Sequence, residues 1–195
     1  MRVELKNRDK LERNLSRYFK EVHKIYMDGD FREESFYSSL KELIEECSIV
    51  FSSQESTRVL VLPKKAEAGI PDFRIGKNGE IVGYIEAKLP DANLEELEDS
   101  DQIKRYRESL PNLILTNFLE FRLYKEGNLV DNVEVGRKFT LQTLKFPPNL
   151  KSSNHSMSCC KNSSPSPLQR FKNPLISLLS WPSELDFLST SYKKS

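Results

Sequence analysis

The chain is poor in cysteine, glycine and tryptophan, and it has no long apolar run. Its three cysteines, Cys47, Cys159 and Cys160, form an odd set without paired spacing. They point to neither a disulfide framework nor a zinc site, so a reducing cytoplasm is the expected compartment. No apolar stretch approaches the ~18 residues that a bilayer span requires, and no membrane partner is expected. The opening segment, Met1 to Lys10, is charged throughout and lacks the apolar centre of a secretory signal. An excess of one charge is also missing: 30 Lys and Arg against 29 Asp and Glu leave a net charge of +1. That total does not support nucleic-acid binding, although a local basic groove could still provide it.

What is present is a globular composition, 37% hydrophobic and 30% charged over 195 residues, enough for a core without disulfides or metals. The composition breaks near residue 147. Residues 1–150 hold 27 of the 29 acids and all seven glycines, whereas 151–195 hold 13 serines and only Glu184 and Asp186 as acids. Six of the ten prolines fall from Pro147 onward. The expected folded domain is therefore 1–146, with 147–195 an irregular, low-complexity or frameshifted tail.

Leu11, Leu15, Tyr18, Phe19, Val22, Ile25 and Tyr26 recur at helical spacing until Met27-Asp28-Gly29-Asp30 interrupts them. A second helix is predicted from about Glu33 to Cys47, with Phe36, Tyr37, Leu40, Leu43 and Ile44 on one face. Thr57 to Leu62 reads as a strand ended by Pro63. Asp72 to Ile75, the turn residues Gly76-Lys77-Asn78-Gly79, and Ile81 to Lys88 read as a hairpin. Leu94 to Leu110 is predicted helical, acidic first and basic later, as the helix dipole favours. Leu113 to Thr116, Phe118 to Tyr124 and a short segment after Glu126-Gly127-Asn128 complete the strands. The order implies an α/β domain with a mixed central sheet flanked by helices.

The chemistry concentrates in Gly69-Ile70-Pro71-Asp72 and Ile85-Glu86-Ala87-Lys88. Strand alternation puts Tyr84, Glu86 and Lys88 on one face, with Ile85 and Ala87 on the other. Asp72 opens the neighbouring strand, so its carboxylate can converge on Glu86. Two carboxylates beside an ammonium suit a divalent cation, because hard cations take oxygen ligands. Such an ion polarises a phosphoryl oxygen and acidifies a water. The ammonium can orient that water and offset charge in the transition state. The spacing alone forces none of this, since Glu86 and Lys88 taken singly also fit a solvated strand face.

Pro71-Asp72 followed after a short hairpin by Glu86-Ala87-Lys88 resembles the signature of the PD-(D/E)XK nucleases. Asp101-Gln102-Ile103-Lys104-Arg105-Tyr106 is similar to the Gln-x-x-x-Tyr helix motif of their RecB- and Mrr-like branches. Gln102 and Tyr106, four residues apart, share a helix face. Tyr84 to Lys88, the acidic helix start, Leu110 to Asn117 and Phe121 to Leu123 resemble the N-terminal nuclease domain of fused type II restriction–modification enzymes. In those, the polypeptide continues into an adenine-specific DNA methyltransferase and a target-recognition domain. The resemblance spans residues 30–146 and implies a restriction-endonuclease-like core and a Mg2+-dependent deoxyribonuclease, with DNA as partner and phosphodiesters hydrolysed by metal-activated water. It also implies that Asp72 and Glu86 are metal ligands, that Ala87 lends its carbonyl, and that Lys88 is the catalytic lysine. Gln102 and Tyr106 would lie near the scissile phosphate or buttress Lys88. An early-helix acid often completes such sites; Glu34 is the better match and Glu45 the second.

Other residues carry less. His23 reads as a surface histidine, Tyr106 also fits core packing beside Leu110, and Lys104 and Arg105 fit an exposed helix face. His155 with Cys159-Cys160 lacks the two-residue gap of zinc sites. No Asn/Asp-Pro-Pro-Tyr/Phe tetrapeptide is present, so S-adenosylmethionine is not expected to bind this chain. DNA recognition is expected to need a methyltransferase or target-recognition domain absent here. The alternative is a truncated, catalytically silent fragment of such a fusion protein. For the tail, a frameshift product and a Ser- and Pro-rich linker are both open. In either case Leu175–Leu179 and Trp181 are expected not to pack on the nuclease core.

Overall fold

Helix α1 (Arg2–Asp28) presents Leu11, Leu15, Tyr18, Phe19 and Val22 as one buried stripe, the spacing that a 3.6-residue period requires. It packs along α2 (Tyr37–Phe51), which buries Tyr37, Leu40, Leu43, Ile44 and Cys47. Arg17 of α1 pairs with Glu46 of α2 across their solvent edge. The computed structural model describes residues 2–51, 57–64 and 69–136. The expected boundary at 146, the tail 147–195 and the Leu175–Trp181 segment lie outside the described residues. Among the described residues no helix is long and apolar enough to cross a membrane.

Among the described residues, the strands β1 (Thr57–Val61), β2 (Phe73–Lys77), β3 (Glu80–Ala87), β4 (Asn112–Thr116), β5 (Glu120–Lys125) and β6 (Asn128–Glu134) form one sheet in chain order. Strands β3 and β4 are parallel and every other pairing is antiparallel. The parallel pair is joined by a crossover through α3 (Leu94–Leu97) and α4 (Asp101–Ser109). One sheet face carries Phe73, Ile75, Ile85, Ala87, Ile114 and Leu123 into the core shared with α1 and α2. The other carries Leu113, Leu115 and Tyr124 against Leu94, Ile103, Tyr106 and Leu110. The expected α/β class, a mixed sheet flanked by helices, is the observed architecture.

Several boundaries differ from the sequence reading for local reasons. The β2–β3 turn is only Asn78-Gly79, both at positive φ (53° and 92°), the geometry that suits right-twisted hairpins. A bulge in the β2–β3 pairing sets Ile75 opposite Gly83 and Gly76 opposite Ile81, which leaves Val82 as the extra residue. The segment 94–110 is two helices, because the Ser100 side chain accepts from the Ile103 N–H and starts α4 afresh. Strand β5 begins at Glu120, since Phe118 turns the chain at φ 68° while Thr116 Oγ1 accepts the Phe118 N–H and Asn117 Oδ1 accepts those of Leu119 and Glu120. The last strand, β6, is seven residues long. His23 is buried, contrary to its reading as a surface residue, because α1 turns that side towards the domain.

Candidate functional site

The site forms at the C-terminal end of β3, where three layers meet. In the β2–β3 register Phe73 faces Ile85; Asp72 precedes Phe73 and Glu86 follows Ile85, so the two carboxylates come together beside that pair. Both oxygens of Asp72 accept hydrogen bonds: Oδ1 from the Tyr37 hydroxyl at 2.6 Å, and Oδ2 from the Ala87 N–H at 2.8 Å. Glu86 is 2% exposed. Its Oε1 accepts from Lys88 Nζ at 2.7 Å and from Gln102 Nε2 at 3.0 Å. Its Oε2 is buried without any hydrogen-bond partner.

The electrostatics follow from that crowding. Burial, then the nearby Asp72 charge, push the Glu86 carboxyl up to about 7, against the opposing pull of Lys88. Burial lowers the Lys88 ammonium, but its bond to Glu86 and the charges of Glu86, Glu33 and Asp72 outweigh that and raise it overall. The lysine therefore stays charged at any neutral pH.

Gln102 stands at the second position of α4 and reaches back to β3, with Tyr106 one turn further on. The Tyr106 hydroxyl lies 3.5 Å from Gln102 Nε2 while its ring is buried with Leu110 in the second core, so core packing and proximity to the site coexist. The chain leading to Asp72 passes directly over this ring. A Cβ at Gly69, whose φ is +138°, would meet Tyr106 Cε1 at 2.9 Å.

The fold thus brings Asp72, Glu86, Ala87, Lys88, Gln102 and Tyr106 together, and it treats the early acids differently from the sequence expectation. Residues Glu33–Phe36 form a 3-10 turn rather than the start of an α-helix. At three residues per turn Glu33 eclipses the buried Phe36 and is turned inward, while Glu34 is exposed. Burial raises the Glu33 carboxyl, the Lys88 charge lowers it and the Asp72 charge raises it; a backbone hydrogen bond from Leu89 also acts on it. Glu33, not Glu34, is the acid beside the site. Glu45 serves elsewhere: its Oε1 accepts the Val59 N–H at 3.1 Å, tying α2 to strand β1. Lys104 pairs with the exposed Asp99 at 3.5 Å.

Sequence reasoning also missed Tyr37, which it placed on the core face of the second helix. It is indeed buried there, and the signal for more was its hydroxyl: a buried tyrosine needs a polar partner that phenylalanine does not. The α3–α4 junction is held by Glu98, whose Oε2 accepts from the Tyr124 hydroxyl at 2.5 Å and from Arg122 at 2.9 Å. That anchor fixes the start of α4, and with it Gln102.

Among the described residues, no group of three or more His, Cys, Asp or Glu is arranged as a metal cage. The donor set nonetheless fits a hard divalent cation of the Mg2+ type, which commonly takes one or two carboxylates and fills its remaining positions with water and phosphate oxygens. The orphaned Glu86 Oε2 is an acceptor of that kind, and the second lone pairs on Asp72 are others.

The fold has a counterpart among solved structures. A DrdV–DNA complex determined by cryo-electron microscopy is similar over 65% of this chain and 12% of that one, with a TM-score of 0.52 and 21% identity. At that identity the likeness concerns the fold. The present chain spans about an eighth of the length of the protein it matches. No known protein family's profile matches the sequence, and no curated protein does either.

Proposed function

We propose that this chain is a metal-dependent DNA endonuclease domain of the restriction–modification type. The observation that carries the reading is the convergence of Asp72, Lys88 and Gln102 on Glu86, whose second carboxylate oxygen is buried and unpartnered. The similarity of the fold to a protein solved in complex with DNA supports DNA as the substrate.

Asp72, Glu86 and the Ala87 carbonyl would hold Mg2+, which when bound supplies Lewis-acid polarisation of the phosphoryl oxygen and a more acidic water. The chain's own groups account for the rest. Lys88 keeps its proton at neutral pH and offers N–H donors for orienting the nucleophile and balancing negative charge at phosphorus. Gln102 donates to Glu86 Oε1, which leaves Oε2 as the acceptor without a partner. Tyr106 backs Gln102, and Glu33 adds negative charge opposite Lys88.

The decisive experiment is cleavage of plasmid DNA with Mg2+ or Mn2+, by this chain and by its fusion to a heterologous DNA-binding domain. Metal-dependent cutting that Asp72→Ala and Glu86→Ala each abolish is the expected result. Equal cutting by both variants would overturn the site assignment. A fusion that never cuts would favour a silent fragment of a methyltransferase–restriction fusion protein, the reading to which the compositional break near residue 147 lends support. Calorimetric titration with S-adenosylmethionine is expected to show no binding.

A further inference from the structure

The geometry points to Tyr37 as the residue that holds Asp72 in the orientation a divalent cation requires. This inference rests on the metal-dependent reading given above and adds a positioning residue to it.

Asp72 lies just outside β2, and the backbone bond from the Leu62 N–H to its carbonyl does not fix its side chain. Two donors from different layers hold it instead. The Ala87 N–H comes from β3, and the Tyr37 hydroxyl comes from the first residue of α2. One donor on each oxygen removes rotation about the carboxylate axis. With the Ala87 N–H alone, the carboxylate would pivot about a single bond. Each oxygen keeps one further lone pair, and these are the acceptors left to meet a cation together with Glu86 Oε2.

Tyr37 is itself held firmly. Its ring packs on Phe73 with centroids 4.7 Å apart at 58°, and its side chain is buried. Its hydroxyl donates to Asp72 Oδ1 at 2.6 Å. The ring supplies core packing that phenylalanine would equally supply; only the hydroxyl reaches the site. Supporting partners of this kind commonly change metal affinity by about 10- to 100-fold when removed.

The test uses the full chain with Mn2+ as the probe, read by calorimetry and by the electron paramagnetic resonance spectrum of the bound ion. Tyr37→Phe should weaken Mn2+ binding about 10- to 100-fold and broaden the bound-ion spectrum, because Asp72 no longer holds one orientation. Ile44→Val, a packing change two turns along the same helix, should lower the melting temperature and leave both readouts unchanged. Mn2+ binding by Tyr37→Phe as tight as in the wild type would overturn the inference while leaving the metal site standing. Equal weakening by Ile44→Val would also overturn it, since general loosening would then explain the loss. Absence of saturable Mn2+ binding by the wild type would overturn the metal reading, and the role of Tyr37 with it.

Discussion

Raising the pH should destabilise the metal-free chain, and Glu86 sets the size of the effect. Its carboxyl lies at about 7 in the folded protein against an ordinary value of 4.5. Below 4.5 both folded and unfolded states hold the proton, so Glu86 costs nothing. Between 4.5 and about 7 only the folded state holds it, and stability falls as pH rises. Above that window both states are ionised and the penalty is constant. At 1.36 kcal/mol per pKa unit the full loss is about 3 kcal/mol. Glu33, raised chiefly by burial, acts in the same direction. Urea unfolding in EDTA, followed by circular dichroism across this range, measures the slope. Glu86→Gln should flatten most of it. Its gain at alkaline pH should be smaller than the full penalty, because Lys88 loses the partner it holds at 2.7 Å. Added Mg2+ should restore the wild type at alkaline pH, by about 2.7 kcal/mol at a concentration one hundred times Kd, and should leave Glu86→Gln unchanged. A wild-type stability flat across the window, or an equal slope in Glu86→Gln, would refute the argument that burial and the Asp72 charge dominate this carboxyl.

Three further outcomes are expected. Glu33→Gln should reduce DNA cleavage by the fusion protein whereas Glu34→Gln should not, and the reverse pattern would restore Glu34 as the acid of the site. Lys88→Ala should abolish cleavage and leave Mn2+ binding largely intact by calorimetry, because the lysine acts on the nucleophile rather than on the cation. Gly69→Ala should lower the unfolding free energy by about 1–3 kcal/mol and reduce cleavage, since the added Cβ meets the Tyr106 ring; an unchanged denaturation midpoint would contradict that close approach.

Local patterns in the chain already specify much of this protein. Helical spacing of Leu11, Leu15, Tyr18 and Phe19, turn residues at Asn78-Gly79, and strand alternation around Ile85, Glu86 and Ala87 depend on neighbours close in sequence. The α/β class was legible for that reason, as was the shared face of Tyr84, Glu86 and Lys88. What the linear pattern lacks is rotation and reach. Whether Glu33 or Glu34 turns inward depends on a 3-10 rather than an α-helical turn, and that choice is made by the burial of Phe36 against Phe31 and Phe118. Tyr37 looks like any core aromatic until α2 lies across the end of β2 and its hydroxyl meets Asp72, 35 residues away. The Ser100 cap that starts α4 is local, but the anchoring of the α3–α4 junction needs Arg122 and Tyr124 to arrive at Glu98 from a strand 24 and 26 residues further on. Sequence alone determined which residues carry charge and which strands and helices could bear them. Tertiary structure decided which charges share one buried space, because desolvation and the competition for hydrogen bonds exist only once distant segments have closed over Glu86.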